Sequence, residues 1–170
     1  CFTIALSNQN ILNQTKLAAT TDSLTGTLNR VAYNSDLHVV NEERPLDFSC
    51  IYVDVNELHY INNKFGHLAG DEMLLYIAYT LKDVFFGQKV YRLGGDEFLV
   101  AITAQTDIVE ERIALFNQLI SQWSGRYVDR ITVSYGVAAA NEHPGLSFEE
   151  LLKTADYMMY QSKKQQTGCG

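Results

Sequence analysis

The run Arg92-Leu93-Gly94-Gly95-Asp96-Glu97-Phe98-Leu99-Val100 constrains the fold of this chain more than any other stretch. β-prone residues flank it on both sides, Lys89 to Leu93 and Phe98 to Ile102. The two glycines between them predict a hairpin with Gly94 and Gly95 at its tip. Glycine takes positive φ without strain and lets a bulky ligand approach the backbone. Asp96 and Glu97 follow at once, where a hard cation carrying phosphates suits them better than a core does. A second acid at a strand end, Asp54, lies upstream in Ile51-Tyr52-Val53-Asp54-Val55. Together these residues predict a metal–nucleotide site.

The hairpin needs partners, and the remaining pattern supplies them. Phe48 to Val55 and Ile131 to Ala139 read as two further buried strands. Thr21 to Gly26 is turn-rich and is expected to cap a helix running from about Asn29 to Glu43, which Pro45 ends. A short helix is expected over Leu58 to Phe65, broken at Gly66, and a long one opening at Gly70-Asp71. In the long one, Leu74, Ile77, Ala78, Leu81, Val84 and Phe85 recur at three and four. Val109, Ile113, Phe116, Ile120 and Trp123 mark another amphipathic helix, and Phe148, Leu151, Leu152, Ala155 and Met159 the last. This order predicts one domain of α/β (α+β) class, with helices on an antiparallel or mixed sheet. On that sheet the strand ends at Asp54 and at Gly94–Glu97 are expected to meet on one rim.

The 170 residues suffice for a single core. A net charge of -7 argues against a nucleic-acid duplex or an anionic membrane surface as the main partner, since both require a dense basic patch. It leaves room for a nucleotide carried on divalent metal, because the metal brings the positive charge. Cysteines at 1, 50 and 169 show no zinc or redox spacing and read as incidental thiols in a reducing compartment. No apolar run is long enough to span a bilayer. With no initiator Met, the chain reads as a piece of a longer protein. Residues 1–20 read as a helix with Ile4, Ile11 and Ala18 seven apart; an ordinary N-terminal helix and the tail of a signalling or linker helix both fit.

Asp54, Asp96 and Glu97, if they converge, repel one another unless a cation intervenes, and Mg²⁺ or Mn²⁺ prefers such oxygen ligands. Two metals would neutralise a triphosphate and stabilise in-line attack at phosphorus. In Leu58-His59-Tyr60-Ile61-Asn62-Asn63 and Gly66-His67-Leu68-Ala69-Gly70-Asp71, Asn62 presents a donor beside an acceptor, and its donor suits the O6/N7 edge of guanine, where both atoms accept. Asp71 presents acceptors for guanine N1–H and N2–H₂, donors that adenine lacks. By composition alone, a polar loop with an acid near a helix start fits equally.

Five motifs in order give the chain a resemblance to the GGDEF family of diguanylate cyclases. Asp22-Ser23-Leu24-Thr25-Gly26 with Asn29-Arg30 is similar to the family's D-x-LTG-x-x-NR segment. Val53-Asp54-Val55-Asn56, Asn62, Gly66-His67 and Gly70-Asp71 resemble its D-x-[DN]…N…GH…GD block. Gly94 to Phe98 is the motif that names the family, Ser134-Tyr135-Gly136 resembles its S-x-G strand, and Ala155-Asp156 with Tyr160 and Lys163 resembles its closing helix. The resemblance implies a palm-like nucleotidyl cyclase domain over residues 21–166, with a central mixed five-stranded sheet flanked by helices. It implies condensation of two GTP to cyclic di-GMP and two pyrophosphates by a homodimer, each subunit holding one GTP with two Mg²⁺ or Mn²⁺ ions. By position, Asp54, the Val55 carbonyl, Asp96 and Glu97 would hold metal, with Asp96 the foremost catalytic carboxylate beside Glu97. Asn62 and Asp71 would read guanine with His67 nearby, and Leu58 would line the base pocket. Gly94 and Gly95 would admit the phosphates, and Lys163 would contact the triphosphate. It also implies a cytoplasmic output domain below an upstream sensor, with a membrane-anchored sensor protein as an open alternative. No nucleic acid and no direct membrane contact by this domain are expected.

Departures from the family pattern bear on activity. His59 stands where members commonly carry a phosphate-contacting Lys, Asn63 where many carry Asp, and the usual Gly-Arg-Asn after the last helix is replaced by Thr167-Gly168-Cys169-Gly170. These imply a slow enzyme or, alternatively, a weak or inactive module that binds GTP or a cyclic dinucleotide and regulates a partner. The window Phe85-Phe86-Gly87-Gln88 lacks the R-x-x-D of the family's product-inhibition site, so no feedback through that site is expected. Asp71 opposes a mixed cyclic dinucleotide product, and the missing basic groove opposes a palm-type polymerase.

Overall fold

The computed structural model describes residue 15 and residues 17–43 and 45–167. Ile4 and Ile11 of the seven-residue spacing lie outside the described residues; 17–20 are helical. The elements run β1 (Leu28–Asn29), α1 (Arg30–Glu43), β2 (Phe48–Val55), α2 (Leu58–Phe65), α3 (His67–Val84), β3 (Lys89–Arg92), β4 (Glu97–Thr103), α4 (Thr106–Ser121), β5 (Val133–Ala139) and α5 (Phe148–Thr167). One five-stranded sheet has the order β1-β3-β4-β2-β5. β1 pairs with β3 in parallel, and the other pairs are antiparallel. The sheet is therefore mixed, as expected. β1, only two residues long, carries no alternation to detect, and its pairing of Leu28 with Tyr91 was invisible in the sequence.

β2 lies between β4 and β5, and all eight of its residues are buried. Its alternate side chains feed two cores. Ile51, Val53 and Val55 join Phe98, Val100 and Ile102 beneath α2, α3 and α4; Cys50 and Tyr52 join Leu99, Ala101 and Ala138 beneath α1 and α5. Full burial of an aliphatic or aromatic side chain of this kind contributes about 1.5–3 kcal/mol. The Ser-x-Gly strand has a packing cause: a Cβ on Gly136 would strike the backbone of Ala155 and Met159, so glycine lets α5 lie directly on β5. Cys50 is fully buried.

Four boundaries differ from the expectation. α1 is capped by Asn29 rather than by the preceding turn, its Oδ1 accepting from the backbone N–H of Val31 and Ala32. α3 begins at His67, three residues before Gly70, because Gly66 turns the chain at φ 87°. α4 stops at Ser121, leaving Trp123 to pack on Tyr76 at 4.5 Å between ring centroids. β5 begins at Val133, since Thr132 is taken up by Asn56, whose N–H donates to its carbonyl. No helix among the described residues is long and apolar enough to cross a membrane.

Candidate active site at the β2–β4 rim

The ladder between β2 and β4 places Asp54 opposite Glu97. Alternation turns both toward the α5 side, in line with Cys50, Tyr52 and Leu99. The rim expected from sequence therefore exists. The Val55 N–H donates to the Asp96 carbonyl at 2.9 Å, and the Leu93 N–H donates to the Glu97 carbonyl at 2.9 Å. These bonds close the hairpin tip and tie its foot to β2.

Asp54 is 7% exposed and accepts from Lys163 Nζ at 2.6 Å. Lys163 arrives by helical periodicity. The buried stripe of α5 runs through Phe148, Leu151, Ala155 and Met159, and Lys163 is four residues further on. Burial pushes the Asp54 carboxyl up, Lys163 pulls it down, and Asp96 and Asp156 push it up again, leaving it above the usual range. Glu97 takes another partner. Its carboxylate lies beside the Tyr52 hydroxyl, which burial and Glu97 together hold well above the ordinary phenol range. A Cβ on Gly94 would lie 2.5 Å from Glu97 Oε2, so a larger residue there would push that carboxylate aside. Neither Gly94 nor Gly95 has positive φ, contrary to expectation, and a Cβ on Gly95 would meet open space.

Among the described residues, no three His, Cys, Asp or Glu side chains converge as a metal cluster. The backbone brings Asp54, Asp96 and Glu97 to one rim, while Lys163 and Tyr52 engage two of the carboxylates. The donors still fit a hard cation: a buried carboxylate already held against a positive charge, beside two more acids.

Two arginines and an aspartate support the tip, and sequence reasoning had given them no role. Arg92 donates to the Gly95 carbonyl from Nη2 at 2.7 Å and to Asp22 Oδ1 from Nη1 at 3.1 Å. Arg30 Nε donates to the Leu93 carbonyl at 2.7 Å. Asp22 Oδ1 also accepts from the Thr25 N–H and hydroxyl. Burial alone would raise Asp22, but the hydrogen bonds from Thr25 and Arg92 outweigh it and hold the carboxyl below its usual range. Asn29 Nδ2 donates to the Ala19 and Thr21 carbonyls at 2.9 and 3.3 Å, joining the incoming segment to the start of α1. The available signal was position: Arg92 directly precedes the glycines, and Arg30 directly follows the residue that caps α1.

The residues expected to read the base lie on α2 and α3. Asn62 Oδ1 is buried without a hydrogen-bond partner, an arrangement that costs about 1–3 kcal/mol until a donor reaches it. A Cβ on Gly70 would collide with that same amide, so the helix-interior glycine makes space for Asn62. Asp71 follows in the second turn of α3, half-buried, and His67 is exposed at its first residue. His59, exposed, lies 3.0 Å through Nε2 from Asn63 Nδ2. Leu58 is buried in the core cluster under α2, 7% exposed, so it supports the helix from below. A cleft of about 750 Å³ lined by Asn56, Glu57, Ile61, Asn117 and Arg130 contains none of the expected site residues.

The family model described as "Diguanylate cyclase, GGDEF domain" matches residues 19–169. "Probable diguanylate cyclase DgcI" of Escherichia coli (strain K12) is 36% identical over 145 residues, covering 84% of this chain and 31% of that protein. "Diguanylate cyclase DgcN" of the same strain is 35% identical over 155 residues, covering 85% and 37%. The chain thus spans about a third of the length of these relatives. The crystal structure of the coiled coil and GGDEF domain of DgcB from Caulobacter crescentus, in complex with c-di-GMP, superposes with a TM-score of 0.81 at 25% identity, covering 96% of this chain and 91% of that one.

Proposed function

Because this chain belongs to the GGDEF domain family of diguanylate cyclases, we propose that it condenses two GTP into cyclic di-GMP and two pyrophosphates, as a homodimer and as the output domain of a larger signalling protein. The observation that carries this reading is the β2–β4 register, which sets Asp54 against Glu97 with the Asp96 carbonyl bonded to Val55. Asp54, the Val55 carbonyl, Asp96 and Glu97 would hold Mg²⁺ or Mn²⁺, two per GTP. The metal supplies positive charge against the triphosphate and the developing charge at the α-phosphorus. Asp96 with Glu97 accepts the proton of the attacking 3′-hydroxyl. Gly94 and Gly95 leave the tip bare for phosphate, and Lys163 binds the triphosphate.

At the other end, Asn62 and Asp71 select guanine with His67 alongside. The unpartnered Asn62 Oδ1 supports a ligand at this end, since a ligand donor removes its cost, while the O6/N7 edge, which only accepts, would be met by Nδ2. Each active site holds one GTP, and two must face each other before either 3′-hydroxyl has a target. The isolated domain therefore reacts faster as its concentration rises.

The test is incubation of the domain at high concentration with GTP and Mg²⁺ or Mn²⁺, with products resolved by chromatography and Asp96→Ala alongside. Cyclic di-GMP from the parent and none from the variant is expected. A second reading, a regulatory module that binds GTP without turnover, draws support from His59, which replaces a cationic Lys with a side chain turned to Asn63. GTP binding without pyrophosphate release, even in a forcibly dimerised fusion, would establish that module and overturn the cyclase.

A further inference from the structure

Lys163 is the point where α5 and the rim meet. Its side chain is 39% exposed, and its ammonium holds an Asp54 side chain only 10% exposed. Asp96 and Asp156 face the same carboxylate, while Glu97 is engaged by Tyr52. A carboxylate in such a setting requires a positive partner, because burying it alone is costly. Lysine is suited to a temporary role: its charge is compact, its stem is flexible, and its donors impose no fixed fork.

An ammonium 2.6 Å from Asp54 Oδ1 stands where a cation bound at about 2.0–2.1 Å would have to sit. A carboxylate oxygen can accept a hydrogen bond and ligate a metal at once, but the ammonium repels a second positive charge at the same carboxylate. We propose that Lys163 is an exchangeable counter-ion. It holds Asp54 in the nucleotide-free chain and yields it to the divalent cation when the phosphates of a bound nucleotide draw the ammonium away. This rests on the reading of Lys163 and Asp54 given under Proposed function and adds a coupling to it. Lys163 suppresses cation capture before the nucleotide arrives, and by reciprocity the cation favours the nucleotide-engaged lysine. The cation then binds mainly together with substrate.

The test is Mn²⁺ binding to the purified chain without nucleotide, followed by electron paramagnetic resonance. Lys163→Met is expected to bind Mn²⁺ about tenfold more tightly than the parent, within the usual span of such couplings. Adding Asp54→Asn to it removes the gain. Lys164→Met removes a neighbouring charge that lies over the Tyr160 ring, and should behave as the parent does. Lys163→Gln repeats the experiment should Lys163→Met fail to fold. Equal affinity in parent and Lys163 variants, an equal gain in Lys164→Met, or no binding in any of them overturns the exchange. The cyclase reading fails separately: a parent that makes no cyclic di-GMP while Lys163→Met shows the gain loses the enzyme and keeps the exchange.

Discussion

The two ends of the candidate site are built by different means. At the phosphate end the acids sit on a strand ladder. Their backbone is bonded on both sides, and Arg30, Arg92, Lys163 and Tyr52 brace the hairpin or its carboxylates. At the base end Asn62 and Asp71 project from two helices joined at Gly66, and the Asn62 amide oxygen waits without a partner. The difference teaches how one fold divides its work. Where like charges are held together, their repulsion is offset by neighbouring donors. At the other end, on the proposed function, an unmet hydrogen bond is left for the ligand to complete.

The largest expected effect at the base end tests selectivity. Asp71→Ser should reduce the preference for GTP over ATP by roughly 10- to 100-fold, since one bidentate acceptor is worth about 1–3 kcal/mol of discrimination. Competition between the two nucleotides measures it, and an unchanged preference means that the base is read elsewhere. Gly70→Ala sharpens the comparison further. Alanine favours a helix interior by about 0.5–1 kcal/mol, and the Asn62 amide it meets can rotate away. The expected result is a melting temperature that holds or rises while KM for GTP increases about tenfold. A lowered KM would show that Asn62 does not need that space.

At the phosphate end, Arg30→Ala removes the donor to the Leu93 carbonyl. A loss of about 1–3 kcal/mol of hairpin stability is expected, falling on kcat more than on KM because the acids rather than the base contacts are displaced. Steady-state kinetics of the variant, with the melting temperature in parallel, separates this from general unfolding. The smallest effect concerns Asp22. Its carboxyl is held below the usual range, so it contributes stability above about pH 4 that is lost as pH falls through its lower folded value. Asp22→Asn should lose a little stability at neutral pH and flatten that acid limb in thermal melts. A limb of unchanged slope would remove Asp22 from the brace.

Much of the fold was legible because it rests on periodicity. The seven apolar or small residues that surround Asp54 in β2, the three-and-four spacing of α3 and the glycine break in the hairpin each state their element locally. The meeting of Asp54 with Glu97 was legible too, since both sit at the ends of apolar strands. The start of α3 was misplaced by three residues because Gly66 and Gly70 are both plausible breakers. Only the position of the Asn62 side chain reveals that Gly70 is a spacer inside the helix. Leu58, expected to line the base pocket, packs in the core cluster under α2, a placement that local pattern cannot specify for an apolar residue.

The sequence by itself determined the class of fold, the order of its elements and the family to which the chain belongs, because these depend on residue type and spacing along the chain. The tertiary structure decided which side chains face one another. Lys163 meets Asp54 across 109 residues, Arg30 meets the Leu93 carbonyl across 63, and Tyr52 meets Glu97 across the β2–β4 pair. Such contacts are set by strand register and by how closely α5 settles over Gly136. No local pattern encodes them, because each is the sum of packing choices made far apart in the chain.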